Sequence, residues 1–334
     1  MGKPRLFVTQ PIEASALKRL QEVMEVEVHP DASRPISKED LIQGVRRNDY
    51  LFIRLHDRVD GEIMDANPGL KLIATMASSP GAIDVEAANQ RKIPLTGRKQ
   101  ATRDAIFEEV ADLTFGLMIA VARKIVQADR LARTTIFPGC QSPYITGAAV
   151  YGKTLGIVGM GKVGKAVARR AKGFNMEILY YDIHPNAEIE ERLEATCTSL
   201  EDLLKRSDYV SLHPALTPET RHMIGVRELS LMKPSAYLIN TARGLLVDQA
   251  ALIKALESNE IAGAGLDVFE SENSLLPGAL VELDNVVLTP HIGSGVADKR
   301  EIMTHAVVDR ILRFLEGNVP PDFFFNPEIF NKGA

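Results

Sequence analysis

Residues 154–182 read TLGIVGMGKVGKAVARRAKGFNMEILYYD, and this stretch is the strongest indication of the fold. A short apolar run ends at Val158, a glycine-rich turn and an alanine-rich helical segment follow, and a second apolar run stops at Asp182. The turn, residues 159–164, has the spacing GxGxxG. Such a turn between a strand and a helix presents backbone N–H groups and the positive end of the helix dipole to phosphates. The sequence therefore predicts a dinucleotide-binding site.

The positions of this turn have separate physical roles. Gly159 permits the tight turn, Gly161 lets a pyrophosphate approach the backbone, and Gly164 lets helix and strand pack closely. Asp182 falls where a carboxylate accepts hydrogen bonds from both ribose hydroxyls of an adenosine. Because Asp182 would repel a 2′-phosphate and residues 183–186 contain no Arg or Lys, the sequence favours NAD over NADP. The remaining fingerprint residues are predicted to contact the cofactor as well: Met160, Lys162 and Val163.

The composition is that of an ordinary globular protein. The chain has 334 residues, of which 45% are apolar and 25% charged, and a net charge of −5. This balance provides no basic face, so we expect neither nucleic acid nor an anionic membrane as the main partner. Cys140 and Cys197 cannot form a disulfide framework or a cysteine-rich metal site, and we predict no bound metal. The longest apolar run, residues 113–122, is about half a membrane span, and we expect a cytoplasmic protein.

Strand and helix patterns alternate on both sides of the fingerprint. Before it, short apolar runs predict strands at residues 5–10, 24–29, 50–55, 71–77 and 93–96. From the fingerprint onward, six strands are predicted at residues 154–158, 176–181, 209–213, 236–241, 262–268 and 285–289. This alternation predicts an α/β fold with two sheets, the second of them a doubly wound parallel sheet.

Helical patterns complete the two sheets. One helix is predicted over residues 105–132 and a last one over 297–316. The aromatic cluster at 323–325 is too bulky for a free tail, so we expect the C-terminal segment to cross back onto the N-terminal sheet. The cofactor domain is then inserted into the other one, with a cleft between them. The predicted domains are 1–112 with 297–334, and 113–296.

Arg243, Glu272 and His291 each follow one of the last three predicted strands of the inserted domain. Because ligands of open parallel sheets bind outside the carboxyl ends of the strands, we expect these residues to converge on one crevice. Singly, each is most often a solvated or structural group. Together they supply what reduction of a 2-keto acid requires. The guanidinium binds carboxylate and carbonyl oxygens, the imidazole donates a proton, and the carboxylate orients the imidazole.

At these residues the chain resembles the D-isomer-specific 2-hydroxyacid dehydrogenases, a family that includes glyoxylate/hydroxypyruvate reductases and 3-phosphoglycerate dehydrogenases. Besides the fingerprint, the likeness is carried by LTPETRHMIG (216–225), MKPSAYLINTARGLLVD (232–248), GAGLDVFESE (263–272) and NVVLTPHIG (285–293). The resemblance implies two doubly wound domains, a Rossmann NAD-binding domain inserted into a flavodoxin-like substrate domain. It also implies an NAD-dependent enzyme that interconverts a D-2-hydroxy acid and its 2-keto acid.

The resemblance implies roles for individual residues. Arg243 would bind the substrate carboxylate, and His291 would be the catalytic acid–base group. Its partner would be the acid five residues beyond Asp267, which is Glu272 rather than Glu270. Asp267 itself would bind the nicotinamide side of NAD. Further cofactor contacts are implied at His213, Thr217, Thr241, Ala242, His291 and Gly293.

Contacts with the substrate are implied at Arg54 and at the backbone N–H groups of Ser78 and Ser79. The family usually has Val-Gly-aromatic-Asp where this chain has Ser-Ser-Pro-Gly at 78–81. The segment after Thr96 is also longer and more charged than usual. These departures bear on which substrate fits, as do the following residues: Arg98, Lys99, Arg103 and Asn273.

Homologous enzymes usually pair through the region of the predicted helix 105–132 and the loop 134–152, so the resemblance implies a homodimer. Two other functions stay open. One is an NAD(H)-sensing interaction protein of corepressor type on the same scaffold, and the other is a formate-type hydride donor enzyme. Formate enzymes of this family carry Gln where Glu272 stands, which counts against the second.

Overall fold

The structure, a computed structural model, describes residues 2–31, 33–54, 57–98, 106–134, 145–272, 275–317 and 319–330. It divides into two compact units. The first combines Met1–Ala105 with Val296–Ala334, and the second is Ile106–Gly295. The boundary predicted at residue 112 falls inside a helix, Phe107–Ala122, that belongs wholly to the second unit.

The first unit is a five-stranded parallel sheet in the order β2-β1-β3-β4-β5, which is the order of flavodoxin-like folds. Its strands are β1 (Arg5–Val8), β2 (Glu25–Val28), β3 (Tyr50–Ile53), β4 (Leu72–Thr75) and β5 (Leu95–Gly97). Its helices are α1 (Ala14–Val23), α2 (Lys38–Arg47), α3 (Gly61–Asp65), α4 (Val85–Gln90) and α13 (Ala297–Leu315). β3 and β4 are buried at every position, as expected for strands with helices on both faces.

Local sequence signals begin several helices of this unit. Ser37, Asp60 and Asp84 each accept a hydrogen bond from a backbone N–H in the first turn of α2, α3 and α4. These caps satisfy N–H groups that have no partner inside the helix. The C-terminal segment belongs to this unit because α13 packs against α1, and the buried Phe324 shares a core with Leu6.

The second unit is a seven-stranded parallel sheet in the order β12-β11-β10-β9-β6-β7-β8. Its strands are β6 (Thr154–Val158), β7 (Glu177–Tyr181), β8 (Thr196–Cys197), β9 (Tyr209–Leu212), β10 (Tyr237–Asn240), β11 (Gly263–Leu266) and β12 (Val286–Leu288). Its helices are α5 (Phe107–Ala122), α6 (Ile125–Thr134), α7 (Lys162–Gly173), α8 (Ala187–Leu193), α9 (Leu200–Arg206), α10 (Val226–Leu231), α11 (Gln249–Glu257) and α12 (Gly278–Val281). The strand order reverses between β6 and β9, and doubly wound sheets bind ligands at this switch point. The predicted α/β fold class is confirmed.

Two predictions about the second unit are wrong. The sheet has a seventh strand, β8, at its edge, and its two residues are too few to give a periodic pattern. The single helix predicted over residues 105–132 is two helices, α5 and α6. Lys124 adopts a left-handed conformation with φ 51°, which ends α5 without a glycine or proline to signal the break.

Candidate active site

The fingerprint turn between β6 and α7 has the shape that a pyrophosphate requires. Gly159 has φ 89°, and a Cβ there would lie 2.7 Å from the backbone nitrogen of Pro214. A Cβ on Gly164 would collide with the carbonyl oxygen of Gly159. At Gly161 a Cβ would meet nothing within 4 Å, so the space above the N-terminus of α7 is open. The tight turn, the close helix packing and the open approach all fit a dinucleotide phosphate.

Asp182, directly after β7, is hydrogen-bonded to this turn. Its Oδ2 accepts a hydrogen bond from the N–H of Met160 at 2.6 Å, and its Oδ1 accepts one from the N–H of His184 at 3.0 Å. Each carboxylate oxygen keeps a second lone pair for a ribose hydroxyl. The carboxylate is therefore held against the fingerprint turn with lone pairs available to hydroxyl donors.

His291 lies in a loop after β12 that is organised by Asp267. Asp267 is 1% exposed. Its Oδ1 accepts hydrogen bonds from the Thr289 hydroxyl at 2.6 Å and the Ile292 N–H at 2.8 Å, and its Oδ2 accepts one from the Gly293 N–H at 2.8 Å. His291 itself has φ 52° and donates its N–H to the Asp267 carbonyl at 2.9 Å. The carboxylate of Asp267 therefore holds the loop that carries His291.

His291 and Glu272 form a close pair. Nδ1 of His291 lies 2.7 Å from Oε2 of Glu272, and the two side chains are 22% and 20% exposed. Oε1 of Glu272 accepts a hydrogen bond from the N–H of Phe269 at 3.3 Å. Because a carboxylate only accepts, Nδ1 carries a proton and the reactive nitrogen of the ring is Nε2. The pair thus has the geometry of an acid–base group with an orienting carboxylate.

Glu270 has a different partner. Its Oε1 lies 2.8 Å from Nε2 of His222 and accepts a hydrogen bond from the N–H of Gln249 at 3.2 Å. The structure therefore places Glu272, and not Glu270, against His291, in agreement with the count of five residues from Asp267.

Arg243 is presented by a turn that the buried Asn240 side chain holds. Oδ1 of Asn240 accepts from the N–H of Ala242 at 3.1 Å, and its Nδ2 donates to the carbonyl of Arg243 at 2.9 Å. The exposed guanidinium donates from Nη1 to the Ala242 carbonyl at 2.6 Å. Among the residues that the structure describes, no carboxylate pairs with it. A charged fork without an anionic partner suits a carboxylate ligand.

The three strand-end residues share one edge of the second sheet. β10 pairs with β11, and β11 pairs with β12, all in parallel. Arg243, Glu272 and His291 therefore come from the carboxyl ends of adjacent strands, as the sequence predicts.

Three other predicted cofactor residues, His213, Thr241 and Thr217, have hydrogen-bond partners within the second unit. Nε2 of His213 is hydrogen-bonded to the Ser211 hydroxyl at 2.8 Å, and burial of the ring lowers the pKa of His213 to about 3. Oγ1 of Thr241 is bonded to Thr114 on α5 at 2.8 Å, so its hydroxyl is engaged inside the unit. Thr217 closes a turn with Thr220, its N–H donating to Oγ1 of Thr220 at 2.8 Å.

The predicted substrate residues of the first unit follow neighbouring strands of its sheet. Arg54 follows β3, and Ser78 and Ser79 follow β4. Burial lowers the pKa of Arg54, and Arg300 adds to this effect while Glu13 and Asp57 oppose it. Within the described ranges, neither the Arg54 guanidinium nor the N–H groups of Ser78 and Ser79 have a hydrogen-bond partner. Lys99, Arg103 and Asn273 lie outside the described residues.

Sequence reasoning missed two features of this part of the second unit. Asn240 was visible in the motif NTAR but was given no role, and the pairing of His222 with Glu270 joins residues that are 48 positions apart. Across the described part of the chain, no group of three or more His, Cys, Asp or Glu residues is placed to hold a metal ion. Over the same residues, no helix is both long and apolar enough to cross a membrane.

Comparisons with known proteins agree with this geometry. The family model described as "D-isomer specific 2-hydroxyacid dehydrogenase, NAD binding domain" matches residues 115–293. A glyoxylate reductase of Thermococcus gammatolerans is 45% identical over 323 residues, which cover 96% of this chain and 95% of that protein. A crystal structure of a protein from Thermus thermophilus is 41% identical, with a TM-score of 0.82 over 95% of this chain and 98% of that one. An NADPH-dependent glyoxylate/hydroxypyruvate reductase from Sinorhizobium meliloti, solved with NADP and malonate, is 31% identical, with a TM-score of 0.74 over 94% of each chain.

Proposed function

We propose that this chain, which belongs to the D-isomer specific 2-hydroxyacid dehydrogenase family, reduces small 2-keto acids of the glyoxylate class with NADH. Membership of the family makes it an NAD-dependent oxidoreductase that interconverts hydroxy acids and keto acids. The choice of glyoxylate follows the relatives, because a protein 45% identical over 96% of this chain is a glyoxylate reductase.

Each residue of the site has one task in the proposed reaction. When bound, the nicotinamide supplies the hydride to the carbonyl carbon. Arg243 binds the substrate carboxylate and the carbonyl oxygen in its planar fork. His291 donates the proton from Nε2 to that oxygen, and Glu272 orients the ring through Nδ1. In the reverse direction, the same imidazole takes the proton from the hydroxyl.

The observation that carries this assignment is the 2.7 Å contact between Glu272 and Nδ1 of His291. A carboxylate at this position also argues against the formate-type alternative, whose enzymes have Gln there. Ser78 and Ser79 support the substrate class, because two backbone N–H groups without an acceptor among the described residues suit a carboxylate.

The direct test is NADH oxidation with a panel of glyoxylate, hydroxypyruvate and pyruvate. We expect turnover that His291→Ala reduces about 10²- to 10⁴-fold, since positioned acid–base groups contribute that much. NADH binding, followed by fluorescence, should persist in this variant. His29→Ala in the first unit is the matched control and should keep its activity. NADH binding without turnover of any 2-keto acid in the wild type would contradict the enzyme and favour the sensing protein.

We propose that Arg54 binds the distal group of the substrate, at the end opposite the keto-acid carboxylate. Its half-buried guanidinium, whose pKa Arg300 helps to lower, is suited to a hydroxyl or phosphate on a longer substrate. Arg54→Ala should raise KM for hydroxypyruvate or its 3-phosphate and leave glyoxylate almost unaffected. An equal rise in KM for all of these substrates, or no change in any of them, would mean that Arg54 does not contact the distal group.

We propose that the active form is a cytoplasmic homodimer that pairs through α6. This helix of ten residues has no buried side chain in the described protomer, and its Ile125 is 48% exposed although the helix is amphipathic. Homologous enzymes usually pair through this region, and an exposed apolar side chain on a helix with no buried residue suits such an interface. Sedimentation of the active species at the mass of one 36.7 kDa chain would contradict the dimer.

A further inference from the structure

The segment Phe269–Glu272 presents two carboxylates, and each of them faces a histidine. Glu272 pairs with His291, and Oε1 of Glu270 lies 2.8 Å from Nε2 of His222. Both histidines have φ 52°, in the left-handed region that residues other than glycine seldom adopt. Only the pair of His291 and Glu272 has a task in the proposed reaction. The second pair, His222 and Glu270, therefore needs an explanation of its own.

His222 is bonded through its backbone to the turn that carries Arg243. Its N–H donates to the carbonyl of Leu245 at 2.8 Å, and the N–H of Ile224 donates to the carbonyl of Leu246 at 3.1 Å. A parallel bridge between Ile224 and Val247 continues this contact. The position of His222 thus determines where the residues directly after Arg243 lie.

Glu270 lies against the same turn from a different segment. A Cβ on Gly244 would collide with the carbonyl group of Phe269, so the turn packs directly on the backbone of this segment. Oε1 of Glu270 also accepts from the N–H of Gln249 at the start of α11, and Oε1 of Gln249 accepts from the N–H of Glu270 at 3.3 Å. A carboxylate is favourable at this end of a helix. Glu270 is therefore fixed in place and offers His222 a rigid partner.

The contact between His222 and Glu270 is too weak to serve mainly as a stabiliser of the fold. Nε2 of His222 is buried and lies 2.8 Å from the carboxylate, but without the alignment of a hydrogen bond. The side chains of His222 and Glu270 are 36% and 31% exposed, and pairs with this degree of exposure contribute little to stability. What the contact does is join the turn of Arg243 to the segment of Glu272.

We propose that His222 and Glu270 are positioning residues that set the placement of Arg243 relative to the pair of Glu272 and His291. This inference rests on the proposed function, since it gives Arg243 the substrate carboxylate. Misplacement of a binding group by about 1 Å can cost up to ~100-fold in rate. Loss of the contact between His222 and Glu270 should act mainly on substrate binding, because the Arg243 turn is bonded directly to the backbone of His222. His291 is held separately by Asp267 and Glu272.

The test is a double-mutant cycle with His222→Ala, Glu270→Ala and the combined variant, measured with glyoxylate and NADH. We expect each single change to raise KM for glyoxylate about tenfold, with little change in kcat, in the NADH dissociation constant or in Tm. The combined variant should be no worse than the more affected single variant, because both remove the same contact. His222→Gln and Glu270→Gln keep a donor and an acceptor and should recover part of the loss.

Several results would overturn the positioning role. Additive losses in the combined variant would mean that the two residues act independently. An unchanged KM would show that the contact between His222 and Glu270 does not influence Arg243, and a parallel loss of NADH binding and Tm would indicate a general disturbance of the unit. A wild type that turns over no 2-keto acid would instead refute the proposed function. His29→Gln, which changes a histidine 3.8 Å from Asp40, is the matched control and should keep the wild-type KM.

Discussion

Glu272→Gln isolates the contribution of the carboxylate to the chemistry, because it keeps the size of the side chain and removes its charge. In the wild type, Oε2 lies 2.7 Å from Nδ1 of His291 and Oε1 accepts the N–H of Phe269. A hydrogen bond to a charged group contributes about 1.5–3 kcal/mol. The pair keeps 20–22% of its side-chain surface in solvent, which favours the lower half of that range. Since ~1.4 kcal/mol is tenfold in rate, kcat should fall about 10- to 50-fold.

The assay compares kcat for glyoxylate at saturating NADH with NADH binding and Tm. NADH binding should be unchanged, because Glu272 has no role in holding the dinucleotide. Glu272→Asp keeps the charge at a shorter reach and should lose less, while Glu257→Gln on the exposed face of α11 is the control. A folded Glu272→Gln enzyme with wild-type kcat would refute the assignment. A severe loss of kcat in Glu270→Gln, with only a mild loss in Glu272→Gln, would mean that the roles assigned to these two carboxylates are reversed.

Four further outcomes follow from the same geometry. Arg243→Lys should lose about 10- to 100-fold in kcat/KM with unchanged Tm, since Lys cannot form the planar fork; lost stability with normal kinetics would make Arg243 a structural residue. NADH should be used better than NADPH, because Asp182 repels a 2′-phosphate, and equal kcat/KM for the two would contradict this. Gly161→Val should weaken NADH binding and leave Tm intact, as its Cβ fills only open space; normal binding would place the pyrophosphate elsewhere. Burial lowers the pKa of His213 to about 3, whereas an unfolded histidine gains a proton below about pH 6.5. Stability should therefore decline as the pH falls below that value, and His213→Gln should show a smaller decline in Tm between about pH 7 and pH 5.

The features predicted correctly from sequence are those that a local pattern determines. The glycines at 159, 161 and 164 each satisfy a local requirement of the backbone. The alternation of apolar runs with helical patterns predicts the parallel sheets. The placement of Arg243 and His291 followed from one rule about strand ends. The break of the predicted helix at Lys124 could not be predicted, because a lysine in the left-handed region has no local sequence signal.

The side-chain partners were the least predictable part of the site. Asp267 is expected to bind the nicotinamide side of the cofactor, and no sequence pattern indicates that its carboxylate accepts hydrogen bonds from Thr289, Ile292 and Gly293. These contacts depend on the path of a loop 22 to 26 positions further along the chain, which a motif does not describe. The pairing of His222 with Glu270 is non-local in the same sense. Motifs therefore identified the residues of the site, and the structure was needed to assign each one a partner.

The three acids between 267 and 272 each hold a different part of the proposed site. Asp267 organises the loop of His291, Glu270 contacts His222 beside the Arg243 turn, and Glu272 orients the imidazole. All three are carboxylates, so charge alone does not decide which of them pairs with which histidine. Their spacing along the chain decides which carboxylate meets which histidine. The segment is fixed at one end by the Asp267 N–H, which donates to the carbonyl of Asn240 on β10, and in its middle by the packing of Phe269 on the Arg243 turn. The order of these acids along one short segment therefore places one carboxylate beside the Arg243 turn and another against His291.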